Sequence, residues 1–244
     1  MFNKRKKKQS HFTAADNKKL FQKNMDFTVS EQYKLLRTNL SFTLPEDVKC
    51  PIIGVTSSMR GEGKSTTAIN LSYALAQGGK KVLLIDGDLR LPSVAKKMKI
   101  NNIKGLSNLL FSYDSLQLDE FKSPYLDNWY IVPSGELPPN PSELLGSRKM
   151  GRLLNRLSES FDYIVIDFPP VNMVSDALAA SKHITGMILV VREDYTEKKE
   201  LESCIRQLKL SDVNVLGCLF NGSKSGKKIY DKYKKYCNSY LSRA

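Results

Sequence analysis

Residues that bind metals or form disulfides are scarce in this sequence. Only His11 and His183 occur in its 244 residues. A zinc site or a histidine-based hydrolase would therefore have almost no side chains to use. No C-x-x-C pair is present, and reduced thiols are the simplest interpretation of the four cysteines. The cysteines are Cys50, Cys204, Cys218 and Cys237.

Long apolar runs are also absent. No stretch approaches the roughly 20 apolar residues that a membrane-spanning helix needs. The first residues, MFNKRKKKQSHF, lack the apolar segment of a signal peptide. We therefore expect a cytoplasmic protein. Apolar residues make up 41% of the chain, which is enough for one α/β domain with short appendages.

Positive charge is concentrated at the two ends of the chain, which has a formal net charge of +13. Such blocks favour an acidic partner, such as anionic lipid, nucleic acid or nucleotide, or else form a solvated tail. We predict a flexible basic arm over 1–27, one domain over 28–222 and a lysine- and tyrosine-rich tail over 223–244. The basic residues are Lys4 to Lys8 and Lys224, Lys227, Lys228, Lys232, Lys234 and Lys235.

The first helix is predicted over 28–43. Thr28 and Glu31 have the spacing of a capping box, and Pro45 follows the helix. An apolar stripe runs along one side of it. Its members are Val29, Tyr33, Leu36 and Leu40. Glu31, Lys34 and Arg37 lie three apart on a flank, where they could meet another subunit.

After residue 50, short apolar runs alternate with helical patterns. Because the runs are continuous rather than alternating, they predict strands buried on both faces of a mostly parallel, doubly wound α/β sheet. The predicted strands are Ile52 to Thr56, Val82 to Asp86, Trp129 to Val132, Tyr163 to Asp167, Met187 to Val191 and Val213 to Phe220. The predicted helices are Lys64 to Gln77, Ser142 to Ser158, Asp176 to His183 and Lys198 to Leu210.

A glycine-rich segment joins the first of these strands to its helix and has the features of a P-loop. Glycines let backbone N–H groups surround phosphate oxygens, Lys64 reaches the β- and γ-phosphates, and the Ser65 hydroxyl binds Mg²⁺. Ser58 replaces the glycine that the strict pattern has six residues before the lysine. The candidate phosphate-binding residues are Gly61, Glu62, Gly63, Lys64, Ser65 and Thr66.

Three carboxylates follow buried strands at the edge where such sheets bind ligands. They are Asp86, Asp88 and Asp167. Buried carboxylates need a positive partner, and Mg²⁺ on nucleotide phosphates would provide one. One of Asp86 and Asp88 taken alone could instead cap a helix. Three acids beside a P-loop favour the magnesium site.

These motifs resemble the bacterial tyrosine kinases of capsule and exopolysaccharide operons, a MinD/ParA-like branch of the P-loop NTPases. Asp86-Gly-Asp88-Leu-Arg90-Leu-Pro92 is similar to their second Walker A-type motif, and Asp167-Phe-Pro-Pro170 to their Walker B motif. Pro133 to Leu145 resembles their proline-rich loop. Glu31, Lys34 and Arg37 resemble the family's ring-assembly motif. The resemblance runs from about Glu31 to the end of the chain.

The resemblance implies an ATP- and Mg²⁺-dependent protein-tyrosine kinase. Lys64, Asp86, Asp88 and Asp167 would be catalytic, and Ser65, Asp86 and Asp167 would hold the metal directly or through water. Either Asp86 or Asp88 could accept the tyrosine proton. The resemblance also places Arg90 and Asn221 at the nucleotide, although Asn221 with the following glycine could be a simple turn.

Four positions depart from the expected patterns. Arg60 stands where the family usually has proline, and Lys34 where it has arginine, so a subunit contact through Lys34 would lose a bidentate fork. Phe168 replaces a small polar residue beside the Walker B motif. Met59 stands where partitioning ATPases have a signature lysine.

Tyrosines recur near the end of the chain, among lysines. The resemblance implies that they are autophosphorylated by a neighbouring subunit. Their spacing also fits an amphipathic helix docked on the domain. They are Tyr230, Tyr233, Tyr236 and Tyr240.

The resemblance further implies several partners. We expect a homo-oligomeric ring, recruitment to the inner face of the membrane by a membrane-embedded chain-length modulator, protein tyrosine substrates and a cognate tyrosine phosphatase, with no nucleic acid. The alternatives are a MinD/ParA-type ATPase that hydrolyses ATP for membrane or DNA positioning, and a scaffold that uses nucleotide only to assemble.

Overall fold

The computed structural model describes residues 27–111 and 117–222. Residues 1–26 of the predicted basic arm 1–27 and the tail tyrosines Tyr230, Tyr233, Tyr236 and Tyr240 lie outside the described residues. No helix in the described ranges is long and apolar enough to cross a membrane.

A six-stranded parallel sheet forms the centre of the domain, with the strand order β3-β2-β4-β1-β5-β6. The strands are β1 (Ile52–Ser57), β2 (Val82–Asp86), β3 (Trp129–Val132), β4 (Tyr163–Asp167), β5 (Gly186–Arg192) and β6 (Val215–Asn221). The predicted parallel α/β sheet is therefore confirmed. Three strands have the predicted bounds, and the other three differ from them by one or two residues.

Eight α-helices connect the strands in the described ranges. They are α1 (Phe27–Thr43), α2 (Lys64–Gln77), α3 (Val94–Met98), α4 (Leu106–Phe111), α5 (Pro141–Leu145), α6 (Arg148–Ser158), α7 (Asp176–Ala180) and α8 (Lys198–Leu210). Single 3₁₀ turns occupy Leu118–Phe121 and Ser181–His183. Helices α3 and α4 were not predicted, because segments shorter than two turns show no clear period.

Two apolar cores cover the two faces of the sheet. Successive residues of β2 alternate between them, so that Leu83 packs in the core that includes α6 and α8, and Leu84 in the core that includes α2. This alternation explains the continuous apolar runs, because both sides of each central strand need an apolar side chain. The edge strand β6 differs. Its side chains pack against both cores but are only half-buried, so the prediction of a strand covered on both faces is only partly confirmed.

The predicted helix Ser142 to Ser158 is wrong as a single element. Helix α5 ends at Leu145 with Gly146 as its C-cap, and Ser147 is the N-cap of α6, where its hydroxyl oxygen accepts a hydrogen bond from the Met150 N–H. A glycine followed by a capping serine stops one helix and starts the next. The predicted capping box is also wrong, because α1 already includes Phe27 and Thr28 lies inside it.

Helix α1 lies against α2, the helix that follows the P-loop segment. Leu36 and Leu40 pack in the same core as α2, and the Arg37 guanidinium donates a 2.7 Å hydrogen bond to the Ala74 carbonyl near the end of α2. Half-buried Tyr33 has a raised pKa because of burial, opposed by hydrogen bonds with Asn70 and Thr67 of α2. Polar and apolar contacts thus hold α1 on α2.

Candidate active site

The P-loop segment follows β1 and leads directly into α2. Gly61 and Gly63 have φ angles of 87° and 103°, a region that favours glycine over residues with a Cβ. Gly63 is the N-cap of α2, and no side chain caps this end of the helix. The first N–H groups of the helix are therefore available to an anion, as they are in phosphate-binding loops.

Glu62 stabilises this loop from within and explains the unusual Ser58. Its carboxylate is fully buried and accepts hydrogen bonds from the Ser58 hydroxyl at 2.8 Å and the Met59 N–H at 3.0 Å. A glycine at position 58 would have no hydroxyl to donate. The departure from the strict pattern is thus coupled to the glutamate four residues later.

Lys64 lies between two of the predicted carboxylates. Its Nζ is 2.9 Å from Asp88 Oδ2 and 3.3 Å from Asp167 Oδ1, and its side chain is only 12% exposed. Burial lowers the pKa of this ammonium, but Asp167 and Asp88 outweigh burial and raise it. Lys64 is therefore held in its charged form at the carboxyl edge of the sheet.

Asp86 is completely buried at the end of β2. Its Oδ2 accepts hydrogen bonds from the N–H groups of Ser93 and Val94, where α3 begins, and its Oδ1 accepts from the Asp88 N–H. The capping alternative is thus partly correct for Asp86. Burial, together with the nearby charge of Asp167, raises the pKa of Asp86 to about 7.

Asp167 is the neighbour of Asp86 across the sheet, because the two residues are in register between β2 and β4. Burial raises the pKa of Asp167, while Lys64 and the Ser65 hydroxyl oppose the shift. Its Oδ2 is buried and has no hydrogen-bond partner. An unpaired buried carboxylate oxygen is costly unless a cation or a donor arrives with a ligand.

The oxygen atoms around Lys64 suit Mg²⁺ bound to a nucleotide. Asp86, Asp167 and the Ser65 hydroxyl supply hard oxygen ligands, and the unpaired Oδ2 of Asp167 is ready to accept a cation or its water. Within the described residues, no cluster of three or more His, Cys, Asp or Glu side chains is arranged to hold a metal by itself. This fits an ion whose other ligands are phosphate oxygens and water.

Arg90 does not lie free beside the P-loop. Its Nε and Nη2 donate to the two carboxylate oxygens of Asp176 at 2.9 and 3.0 Å, and Nη2 also reaches the Ser142 hydroxyl at 3.2 Å. Asp176 is fully buried and also accepts a short hydrogen bond from Ser142. Sequence reasoning missed Asp176, because nothing in its local pattern predicts a partner in the loop after β2. The nucleotide contact of Arg90 stays a prediction.

Asn221 lies against the P-loop, and three residues near β5 join it there. The Asn221 side-chain amide donates to the Glu62 carbonyl at 2.9 Å. Arg192 donates to the Gly61 carbonyl, Tyr195 to the Arg60 carbonyl, and Thr196 to the Glu62 carboxylate. Sequence reasoning missed these three residues, since no motif marks them. Whether Asn221 also contacts adenine stays a prediction.

The residues predicted to contact another subunit have partners within the same chain. Lys34 forms a 2.7 Å ion pair with Glu31 on α1, and Arg37 bonds to α2. Their role between subunits stays a prediction.

Phe168 beside the Walker B motif has a packing role. It is fully buried, and a Cβ at Gly54 or Gly87 would lie 3.1 or 3.2 Å from its ring. The phenyl group fills the space against these two glycine backbones, which accounts for this departure.

Comparisons with known proteins match the part of the chain that contains this site. A family model described as an AAA domain matches residues 50–218. The tyrosine-protein kinase YwqD of Bacillus subtilis strain 168 is 38% identical over 175 residues, which cover 71% of this chain and 73% of that protein. The tyrosine-protein kinase CpsD of Streptococcus agalactiae is 34% identical over 186 residues, 76% of this chain and 81% of that protein.

Solved structures agree with the sequence relatives. The chimerical protein CapA2B2 is 34% identical, with a TM-score of 0.75 over 81% of this chain and 86% of that chain. The septum site-determining protein MinD of Pyrococcus horikoshii is 23% identical, with a TM-score of 0.57 over 78% of this chain and 77% of that chain, and shares the fold alone. The chain therefore belongs to the family of bacterial tyrosine-protein kinases built on this AAA domain.

Proposed function

We propose that this chain transfers the γ-phosphoryl group of Mg-ATP to protein tyrosines, including tyrosines of its own tail. The observation that carries the proposal is the position of Lys64. A buried ammonium group at the mouth of a P-loop, 2.9 Å from Asp88 and 3.3 Å from Asp167, combines phosphate binding with carboxylates for metal binding and proton transfer.

The residues of the site have distinct tasks in this reaction. Lys64 and the backbone N–H groups of 61–66 bind and orient the phosphates, and Ser65, Asp86 and Asp167 would hold the magnesium ion, directly or through water. When bound, the ion neutralises charge on the transferring phosphoryl group. Phosphoryl transfer depends mainly on such positioning and charge neutralisation, which this arrangement supplies.

The acceptor of the tyrosine proton is one of two carboxylates, and their exposure favours Asp88. Asp86 is fully enclosed and already accepts three backbone N–H groups. Asp88 retains slight exposure, at 7% of its side chain, and its Oδ2 faces Lys64. A phenol hydroxyl entering the site reaches Asp88 first. A carboxylate is a sufficient base when the phenol is aligned with the phosphoryl group.

The names of the relatives extend the proposal to a cellular role. One relative, from Klebsiella pneumoniae, is named as a putative tyrosine-protein kinase in the cps region, and others are named CpsD and, in Staphylococcus aureus, CapB. We infer that this chain regulates capsular or extracellular polysaccharide synthesis at the inner face of the membrane. Its expected partners are further copies of itself in a ring, a membrane-embedded modulator, tyrosine substrates and a tyrosine phosphatase. The substrate tyrosines of the tail are Tyr230, Tyr233, Tyr236 and Tyr240.

The rival is a partitioning-type ATPase that transfers phosphate to water. Two observations favour the kinase. The likeness to MinD is at the level of the fold, whereas tyrosine kinases are 34–38% identical in sequence. In addition, Met59 stands at the P-loop position where partitioning ATPases have a lysine, and its N–H is bonded to Glu62.

Labelled ATP separates the two activities. The purified chain with Mg²⁺ and γ-labelled ATP should acquire label on its tail tyrosines, which mass spectrometry would locate. Lys64→Met should reduce this labelling by about 100-fold or more, because it removes the charge that positions the phosphates. Lys104→Met is the matched control, since this lysine is 69% exposed and pairs with Glu120 away from the P-loop.

Three results would contradict the proposal. Release of free phosphate without labelled tyrosine would indicate the ATPase. Assembly with nucleotide but without any turnover would indicate the scaffold. Full activity of Lys64→Met would show that the P-loop lysine does not take part in the reaction.

A further inference from the structure

Three successive carbonyl groups of the P-loop are each held by a side chain from another part of the chain. Tyr195 Oη donates to the Arg60 carbonyl at 2.9 Å, Arg192 Nη1 to the Gly61 carbonyl at 2.8 Å, and Asn221 Nδ2 to the Glu62 carbonyl at 2.9 Å. Arg192 and Asn221 end the neighbouring strands β5 and β6, and Tyr195 follows β5. We call Arg192, Tyr195 and Asn221 the carbonyl brace.

Because the peptide bond is planar, these contacts with carbonyl groups also fix the direction of the N–H groups that follow them. In a planar trans peptide, the C=O of one residue and the N–H of the next point in opposite directions. No cis peptide occurs among the described residues. Holding the carbonyls of 60–62 towards β5 and β6 therefore directs the N–H groups of 61–63 the other way. Successive N–H groups with a common direction form an anion-binding concavity.

The glycines of the loop allow the carbonyl brace to come this close. A Cβ on Gly63 would lie 2.0 Å from Asn221 Nδ2, and a Cβ on Gly61 would lie 2.9 Å from Tyr195 Oη. Both residues also have positive φ angles. The absence of a Cβ at these two glycines thus allows both the close contact with the carbonyl brace and the backbone conformation of the turn.

Two further contacts make the carbonyl brace a connected unit. The Arg192 guanidinium lies 5.0 Å from the centre of the Tyr195 ring, so the two side chains support each other by a cation–π contact. Thr196, next to Tyr195, donates to the buried carboxylate of Glu62. The segment after β5 therefore contacts both the backbone and the buried side chain of the P-loop.

We propose that Tyr195, Arg192 and Asn221 are positioning residues, which preorganise the N–H groups of 61–63 for the nucleotide phosphates. This inference deepens the proposed function and rests on it. A preformed phosphate site avoids reorientation of the loop on binding, and preorganised donors of this kind provide affinity and rate. Asn221 acts here through the P-loop backbone.

The sharpest test is Tyr195→Phe, because it removes one hydroxyl without changing charge or the ring. Mg-ADP binding is measured by titration calorimetry on the full chain. The dissociation constant should rise about three- to tenfold, the effect of losing one hydrogen bond. In the kinase assay, KM for ATP should rise while KM for a tyrosine peptide stays unchanged. A purely structural role would not produce this split.

The chain offers a matched control for this variant. Tyr125 Oη also donates to a backbone carbonyl, that of Met98 at 3.1 Å, and Tyr125 is likewise partly exposed. Tyr125→Phe should leave Mg-ADP binding within about twofold of the unmodified chain. If loss of such a hydrogen bond acted only through stability, both variants would bind Mg-ADP alike.

A second pair tests the other end of the carbonyl brace. Asn221→Leu should also weaken Mg-ADP binding by about three- to tenfold, and by a similar factor with Mg-pyrophosphate, which has no adenine for Asn221 to contact. Its control is Asn214→Leu, since Asn214 Nδ2 donates to the Thr185 carbonyl at 2.9 Å just before β6. With this second variant and its control, the inference can still be tested if Tyr195→Phe folds poorly.

The outcomes separate this inference from the proposed function. If the unmodified chain binds Mg-ADP and both brace variants bind it equally well, the positioning role is overturned and the kinase proposal stands. If the unmodified chain does not bind Mg-ADP at all, the proposed function fails, and the carbonyl brace fails with it.

Discussion

Asp167, at the end of β4, and Asp176, at the start of α7, are equally buried but lie in different surroundings. Asp176 has both oxygens hydrogen-bonded, through a bidentate pair with Arg90 and a bond from Ser142. Asp167 has one oxygen 3.3 Å from Lys64 and the other without a partner, and burial raises its pKa.

This difference teaches how to separate a structural carboxylate from one kept for a ligand. The pair of Asp176 and Arg90 joins the loop after β2 to the start of α7 and leaves no hydrogen-bonding group of the carboxylate unmet. The unpaired Oδ2 of Asp167 lowers the stability of the folded protein until a cation or a hydrogen-bond donor binds to it. A buried carboxylate oxygen without a partner in an otherwise well-packed protein therefore points to a ligand.

The largest expected effect comes from Asp167→Asn. Phosphoryl transfer should fall about 100-fold or more, since a metal-binding carboxylate is lost. The nucleotide-free protein should nevertheless become more stable by about 1 kcal/mol, because the charge beside Asp86 disappears while Lys64 keeps Asp88. Activity assays and urea unfolding without nucleotide measure the two effects.

Asp127→Asn is the control for that variant. Asp127 is 99% exposed and pairs with Lys122, so neither activity nor stability should change measurably. A loss of stability in Asp167→Asn would mean that its ion pair with Lys64 outweighs the unpaired oxygen, and the contrast with Asp176 would disappear.

The next largest effect is expected from Asp176→Asn, with the opposite sign in stability. The free energy of unfolding should fall by about 2–3 kcal/mol, below the usual cost of breaking a buried pair because Arg90 is partly exposed. Urea unfolding checks this value. For comparison, Glu120→Gln breaks the exposed pair with Lys104 and should cost at most about 1 kcal/mol. Equal costs in the two variants would refute a structural role for Asp176.

The smallest effect concerns pH and Asp86. Because its pKa is raised from 3.8 to about 7, the folded state retains a proton that the unfolded chain has released between these values. Unfolding then releases a proton, so this group's contribution to stability decreases as pH rises through that window. Near pH 6, the free energy of unfolding of the unmodified, nucleotide-free protein should fall by about 1 kcal/mol per pH unit relative to that of Asp86→Asn.

Thermal or urea unfolding of both proteins at several pH values measures that difference. A constant difference between pH 5 and pH 7, taken as approximate limits of the window, would show that Asp86 is not held protonated by burial.

The elements around the site were largely predictable. Strands β2, β3 and β4 and helices α2 and α8 have their predicted bounds, since each is long or continuously apolar. The convergence of Lys64 with Asp88 and Asp167 followed from the parallel sheet, because successive strands deliver their carboxyl ends to one edge. By contrast, the short helices α3 and α4, and the break between α5 and α6, were not predicted.

The partners of the site residues were much less predictable. Arg90 carries the expected motif, but its position is set by Asp176 and Ser142, which lie far along the chain. Tyr195 and Arg192 have no motif of their own. Their importance follows from distances to the P-loop of under 3 Å.

The sequence by itself determined the succession of the strands and of the longer helices along the chain, the phosphate-binding loop and the set of acids at the sheet edge. These features depend on neighbouring residues and on the burial of continuous apolar runs. Only the tertiary structure decided which acids are satisfied and which wait for a ligand, and which side chains hold the loop. Hydrogen bonding and burial join residues that are remote in sequence, and no local pattern encodes those distances.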